Sequence, residues 1–120
     1  MKRNNHEHDN QVAVFKWAAL NITKYPELAL LYAVPNAAKR NPRQGAWMKA
    51  EGLKAGVPDI VLPVARGEYH SLYIELKVKG GRVTELQEIW QARLLKHGNL
   101  AIICFGWQEA VEAIEGYLRG

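Results

Sequence analysis

A chain of 120 residues with a formal charge of +4, 48% apolar residues and 23% charged residues is sized for one domain around one core, and its composition argues against disorder. No apolar run approaches the roughly 20 residues that span a bilayer, the charged start from Met1 to Asp9 has no apolar segment behind it and does not read as a secretory signal, and the single Cys104 has no partner for an internal disulfide. The expectation is one domain over residues 1–120, cytoplasmic and without membrane association.

In chain order, His6 to Lys24 reads as a helix that Pro26 stops, with Val12, Phe15, Ala19 and Ile22 at helical spacing and therefore expected inward. Glu7 and Gln11 share a face of it. Leu28 to Val34 is a short apolar run expected to be a buried strand. Asn36 to Gly56 reads as a basic loop with a short helix from about Gln44 to Glu51. Asp59 to Val64 is a second strand, ended early or held at an edge by Pro63, and Gly67-Glu68-Tyr69-His70 supplies a turn before a third strand, Leu72 to Val78. A helix from Thr84 to His97 follows, with Leu86, Ile89, Trp90 and Leu94 inward and Gly98 as its stop. Leu100 to Phe105 is a fourth strand, in which Cys104 reads as a small buried hydrophobe, and Trp107 to Leu118 is a closing helix with Ala110, Val111, Ile114 and Leu118 on one stripe. The predicted architecture is α/β, a small mixed sheet flanked by helices in the order α-β-β-β-α-β-α.

The charge is unevenly spread. Between Asn36 and Val57, Lys39, Arg40, Arg43, Lys49 and Lys54 face Glu51 alone, so this segment carries the net charge of the whole chain. A cationic segment directly before Asp59 suits an anionic polymer passing that residue. Asn36 and Arg40 have side chains suited to phosphate oxygens, although Asn36 after Pro35 suits a turn equally well. Trp17, Trp90 and Trp107 are expected in the core, while Trp47, inside the basic segment, is a candidate for stacking on unpaired bases.

The chemistry-bearing pattern is Asp59 followed, after fifteen residues, by Glu75-Leu76-Lys77. Strict alternation in the third strand places Leu72, Ile74, Leu76 and Val78 on one face and Tyr73, Glu75, Lys77 and Lys79 on the other. Two carboxylates match the one or two that Mg2+ takes from a protein, and a lysine beside them can orient water and stabilise a charged phosphorane. Read by itself, Glu-x-Lys is also an ordinary polar stripe on a half-exposed strand. Zinc held by His6 and His8 is a rival metal site.

Gly56-Val57-Pro58-Asp59, then Ile74-Glu75-Leu76-Lys77, then Gln87, resemble the PD-(D/E)xK nuclease superfamily, and more specifically its virus-type replication-repair nuclease domain, VRR-NUC. The run Lys49 to Asp59, the Val34-Pro35-Asn36 and Arg40 pair of positions, and Glu7-x-x-x-Gln11 extend the likeness to nearly the whole chain. The resemblance implies a DNA endonuclease dependent on Mg2+ or Mn2+, with Asp59, Glu75, Lys77 and Gln87 as the catalytic set. Asp59, Glu75 and the Leu76 backbone carbonyl would hold the metal, with Glu7 reaching it through water. It also implies a homodimer acting on branched DNA, similar to Holliday junction resolvases, in a bacterial or phage-infected cell, with Asn36, Lys39, Arg40, Arg43, Lys49 and Lys54 on the DNA. Gln87 has a second reading, as the return partner of Thr84 in a capping box. A non-catalytic DNA-binding module on the same fold is the alternative function.

Overall fold

The structure, a computed structural model, describes residues 5–35 and 42–120. Helix α1, Asn5–Leu20, leads through a short 3₁₀ helix, Pro26–Leu30, into β1, Tyr32–Ala33; then follow α2 (Pro42–Ala50), β2 (Ile60–Leu62), β3 (Leu72–Lys77), α3 (Glu85–Lys96), β4 (Leu100–Phe105) and α4 (Trp107–Arg119). One four-stranded sheet has the order β1-β2-β3-β4. The first two pairings are antiparallel, and β3 and β4 are parallel, with Leu72 opposite Leu100 and Lys77 opposite Phe105. A parallel pair requires a crossover, which α3 provides. This is the mixed sheet flanked by helices that the sequence predicts.

The alternation of β3 divides the molecule. Leu72, Ile74 and Leu76 enter the core with Val14 and Ala18 of α1 and Ala110, Ile114 and Leu118 of α4. Ile60, Leu62, Leu72, Ile74, Ile114 and Val14 are almost wholly enclosed, and each such aliphatic side chain stabilises the fold by about 1.5–3 kcal/mol through burial. The opposite face of β3 carries Glu75 and Lys77, and α3, which packs on β4, reaches Glu75 through Gln87. The sequence expectation for α4 holds: Ala110, Val111, Ile114 and Leu118 are buried, joined by Tyr117.

Several expectations give way. The first helix ends at Leu20 rather than Lys24, where the Asn21 side chain turns back to the Trp17 carbonyl at 2.9 Å, and its inward residues are Val14 and Ala18, while Val12, Ala19 and Ile22 are exposed. The apolar run from Leu28 is not a buried strand. Pro26 starts a 3₁₀ turn that buries Leu28, and only exposed Tyr32 and Ala33 join the sheet. Strand β2 ends before Pro63 as expected, but it lies inside β1 rather than at an edge. In α3 no residue is buried; of the expected inward stripe Leu86 and Ile89 are exposed, and Trp90 and Leu94 are half-buried where the helix packs on β4. The short helix expected in the basic segment is present as α2.

Candidate active site

Two local devices bring the loop before β2 to the middle of β3. Gly56 has a φ of +90°, and a Cβ there would lie 2.8 Å from Leu86 Cβ and 3.0 Å from the Leu86 carbonyl oxygen, so only glycine lets this loop lie flat on the first turn of α3. Pro58 is fully buried and holds the next residue in place. Asp59 then extends β1 pairing through its carbonyl, which accepts from Val34 N at 2.8 Å, while its side chain turns to β3. There the Leu76 amide donates to Asp59 Oδ2 at 2.8 Å. In an extended strand a residue's N–H and C=O project to the same side, so the Leu76 carbonyl also faces the Asp59 edge.

Glu75 and Lys77 lie side by side, as the alternation requires, with Lys77 Nζ 3.8 Å from Glu75 Oε2. Both are buried, Glu75 to 4% and Lys77 to 7% exposure, so the polar face of β3 is covered and not a solvated stripe. Gln87 closes the site from α3. Its Nε2 donates to Glu75 Oε2 at 2.9 Å, and its Oε1 accepts from the Thr84 amide at 2.9 Å while Thr84 Oγ1 caps the Gln87 amide. Gln87 therefore completes the capping box and touches Glu75 at once: the cap fixes the side chain that contacts Glu75.

The electrostatics are those of two crowded carboxyls beside one buried lysine. Burial, followed by the neighbouring Asp59 carboxyl, pushes Glu75 from its usual 4.5 up to about 8; Lys77 opposes this and Glu7 adds to it. Glu75 Oε1 is buried and finds no hydrogen-bond partner among the described residues. Such an atom is costly to leave bare, and a hard cation is the partner its chemistry fits. Among the described residues, no three His, Cys, Asp or Glu side chains form a metal-holding cluster, neither around His6 and His8 nor from Glu7, Asp59 and Glu75. Asp59 and Glu75 with main-chain oxygen form the kind of sparse donor set that Mg2+ accepts.

Glu7 is placed by a residue that sequence reasoning missed. Asn10, one turn further along α1, accepts from the Trp107 amide at 2.8 Å and so caps α4, whose own Gly106 has no side chain to do it. Gly106 N in turn donates to the Lys77 carbonyl at 2.8 Å. This chain of contacts ties the start of α1 to the end of β3, near enough for the Glu7 charge to act on Glu75. An asparagine in mid-helix carries no local signal of so distant a partner.

The predicted DNA contacts divide into two groups. Asn36, Lys39 and Arg40 lie outside the described residues. Arg43, Lys49 and Lys54 are exposed on α2 and the loop after it, as is Trp47 at 73%. Trp17, Trp90 and Trp107 are half-buried rather than enclosed.

The sequence profile of the VRR-NUC domain matches residues 2–107. A solved structure described as a "VRR_NUC domain protein" superposes with a TM-score of 0.81 at 27% identity, covering 98% of this chain and 92% of that one. Among curated proteins, no sequence matches significantly.

Proposed function

The chain belongs to the VRR-NUC domain family, a nuclease-type fold, and from that membership we propose that it is a DNA endonuclease that depends on a divalent metal, Mg2+ or Mn2+, and selects branched DNA as a homodimer. The observation that carries this reading is the buried Glu75 Oε1 without a partner, set beside Asp59 and Lys77. Asp59, Glu75 and the Leu76 carbonyl would hold the metal, with Glu7 reaching it through water. When bound, the metal supplies Lewis-acid polarisation of the phosphoryl oxygen and lowers the pKa of water near the phosphorus.

The protein's own groups have distinct tasks. The Leu76 amide holds the Asp59 carboxylate in one orientation, and Gln87 does the same for Glu75, so neither must reorganise as charge develops. Lys77, fixed 3.8 Å from Glu75 Oε2, orients the attacking water and offsets negative charge on the phosphorane. Burial of Glu75 and Lys77 keeps competing solvent away from both and strengthens their mutual field. The basic α2 segment draws the phosphate backbone toward the Asp59 edge.

Purified protein is incubated with four-way junction, flap, splayed-arm and linear duplex DNA in Mg2+ or Mn2+ against EDTA, while light scattering reads its mass. Metal-dependent nicking that prefers the branched forms, by a dimer, supports the proposal. Absence of cutting in every metal, with DNA binding intact, would replace it with a binding module on the nuclease fold. A monomer that cuts would remove the homodimer part alone.

A further inference from the structure

Beside the catalytic strand, α2 and α3 enclose an open groove of about 560 Å3, lined by Lys49, Leu53 and Lys54 from one side and Leu86, Trp90 and Arg93 from the other. Leu86, Trp90 and Arg93 succeed one another at helical spacing and share a face of α3. Leu86 and Trp90 belong to the stripe that the sequence assigns to the core; in the structure Leu86 is exposed and Trp90 half-buried. Lys49, Lys54 and Arg93 are exposed and join no ion pair among the described residues, and no carboxylate is among the groove's lining residues. An apolar floor with an indole, rimmed by three unpaired cations, is matched in charge and shape to a nucleotide whose base is out of the duplex: phosphate to the cations, base to the ring.

Position strengthens the match. Leu86 of the groove precedes Gln87, which contacts Glu75, and the opposite wall continues from Lys54 through Gly56 to Asp59, with Gly56 resting on Leu86. The groove and the carboxylates of Asp59 and Glu75 are therefore neighbours, joined by the same loop and the same helical turn.

We infer that this groove is a subsite for an unpaired nucleotide flanking the cleaved phosphate, with Trp90 as its stacking platform and Arg93, Lys49 and Lys54 as its phosphate contacts. The inference rests on the DNA-cutting reading above and narrows it, because a subsite of this kind favours substrates in which a strand leaves the duplex next to the cut. A continuous duplex cannot fill it without breaking a base pair, so the preference for branched DNA arises within one subunit.

The test measures binding without cutting, in EDTA, by anisotropy of splayed-arm DNA and of linear duplex, with a 2-aminopurine at the first unpaired position. Wild type is expected to bind the splayed arm more tightly and to quench the 2-aminopurine. Arg93→Gln, a change at an exposed side chain, is expected to lower the splayed-arm preference and reduce the salt slope of that binding by about 0.7. Trp90→Leu is expected to abolish the quenching and cut the preference about tenfold. Variants that weaken both DNAs equally, or neither, overturn the subsite, and Arg93→Gln decides alone if Trp90→Leu does not fold. Cleavage is scored separately: if wild type cuts while both variants keep the preference, the subsite fails and the nuclease stands. If nothing cuts but the preference depends on Trp90 and Arg93, the subsite stands and the nuclease fails.

Discussion

The Leu76 amide donates to Asp59 Oδ2 at 2.8 Å, so the strand that presents Glu75 and Lys77 also fixes the carboxylate arriving from the loop before the neighbouring strand. Asp59 thus has a structural hydrogen bond and a negative charge, and the two can be separated. Asp59→Asn keeps an oxygen acceptor for Leu76 and removes the charge. Its melting temperature should stay near wild type while metal-dependent cleavage falls on the order of 10²–10³-fold or more. Asp59→Ala should lose cleavage and also stability, by about 1–3 kcal/mol for the bare amide. Equal melting temperatures for the two variants would show that the hydrogen bond contributes nothing.

Gln87 allows a comparable separation on α3. Thr84→Ala breaks the cap of the helix without touching Glu75, and about 1 kcal/mol of stability should go with it. Gln87→Glu keeps an oxygen to accept from the Thr84 amide but cannot donate to Glu75, and adds a third negative charge beside it. Cleavage per folded molecule, measured well below both melting temperatures, should drop far more in Gln87→Glu than in Thr84→Ala. If Thr84→Ala impairs cleavage as strongly, Gln87 acts only by holding the helix end.

How much of this site the sequence disclosed depends on which force places each residue. A strand's side chains alternate whatever their neighbours do, so Glu75 and Lys77 were legible as a pair from spacing alone. Helix α1 is apolar on several sides, with Val12, Val14, Phe15, Trp17, Ala18 and Ala19 in close succession, so periodicity offers more than one stripe and tertiary packing selects Val14 and Ala18. The stripe on α3 was legible as apolar but not as open, because a sequence pattern records hydrophobicity and not what lies above it. Burial of Glu75 and Lys77 was likewise invisible: Gln87 of α3 lies on Glu75 and Gly81 sits beside the Lys77 side chain, neighbours that alternation cannot report. The hydrogen bond from Trp107 to Asn10 spans the chain and leaves no local trace.

Asn10 provides a test of that long-range tie. Asn10→Ala leaves the α4 amide at Trp107 without its acceptor, and about 1 kcal/mol of stability should be lost. Because the same contact anchors the turn that bears Glu7, cleavage should decline in Asn10→Ala even at temperatures well below unfolding. Asn10→Asp, which retains an acceptor at the helix N-terminus, should restore stability. No change in melting temperature in Asn10→Ala would remove the cap from the account.

Gly56 should tolerate no side chain. Alanine at a φ of +90° is strained, and its Cβ meets both Leu86 Cβ and the Leu86 backbone, so the loop or the first turn of α3 must move. A cost of about 2 kcal/mol or more is expected, together with loss of cleavage, since that movement separates Asp59 from Gln87. Gly52, whose φ is +107° with open space around it, is the control: alanine there carries backbone strain alone and should leave cleavage per folded molecule intact. If Gly56→Ala cuts at the wild-type rate, the contact with Leu86 does not position the site.

The raised pKa of Glu75 makes the stability of the metal-free protein and the gain on adding Mg2+ respond oppositely to pH. Glu75 titrates near 8 in the fold against 4.5 when unfolded, so between these values the folded chain holds the extra proton. Its contribution to stability is complete below pH 4.5 and is lost as pH rises through 8. A divalent cation needs the carboxylate and must displace that proton, so below pH 8 its affinity should rise by up to about tenfold per pH unit and then level off. Thermal melts with and without Mg2+ at pH 6 and pH 9 should show the metal-free protein less stable at the higher pH and the Mg2+-induced gain larger there. Glu75→Gln, which cannot titrate, should remove Glu75's part of the metal-free stability loss on raising the pH and flatten the pH dependence of the Mg2+ gain. A Mg2+ gain that is independent of pH in wild type would mean that Glu75 is not where the cation binds.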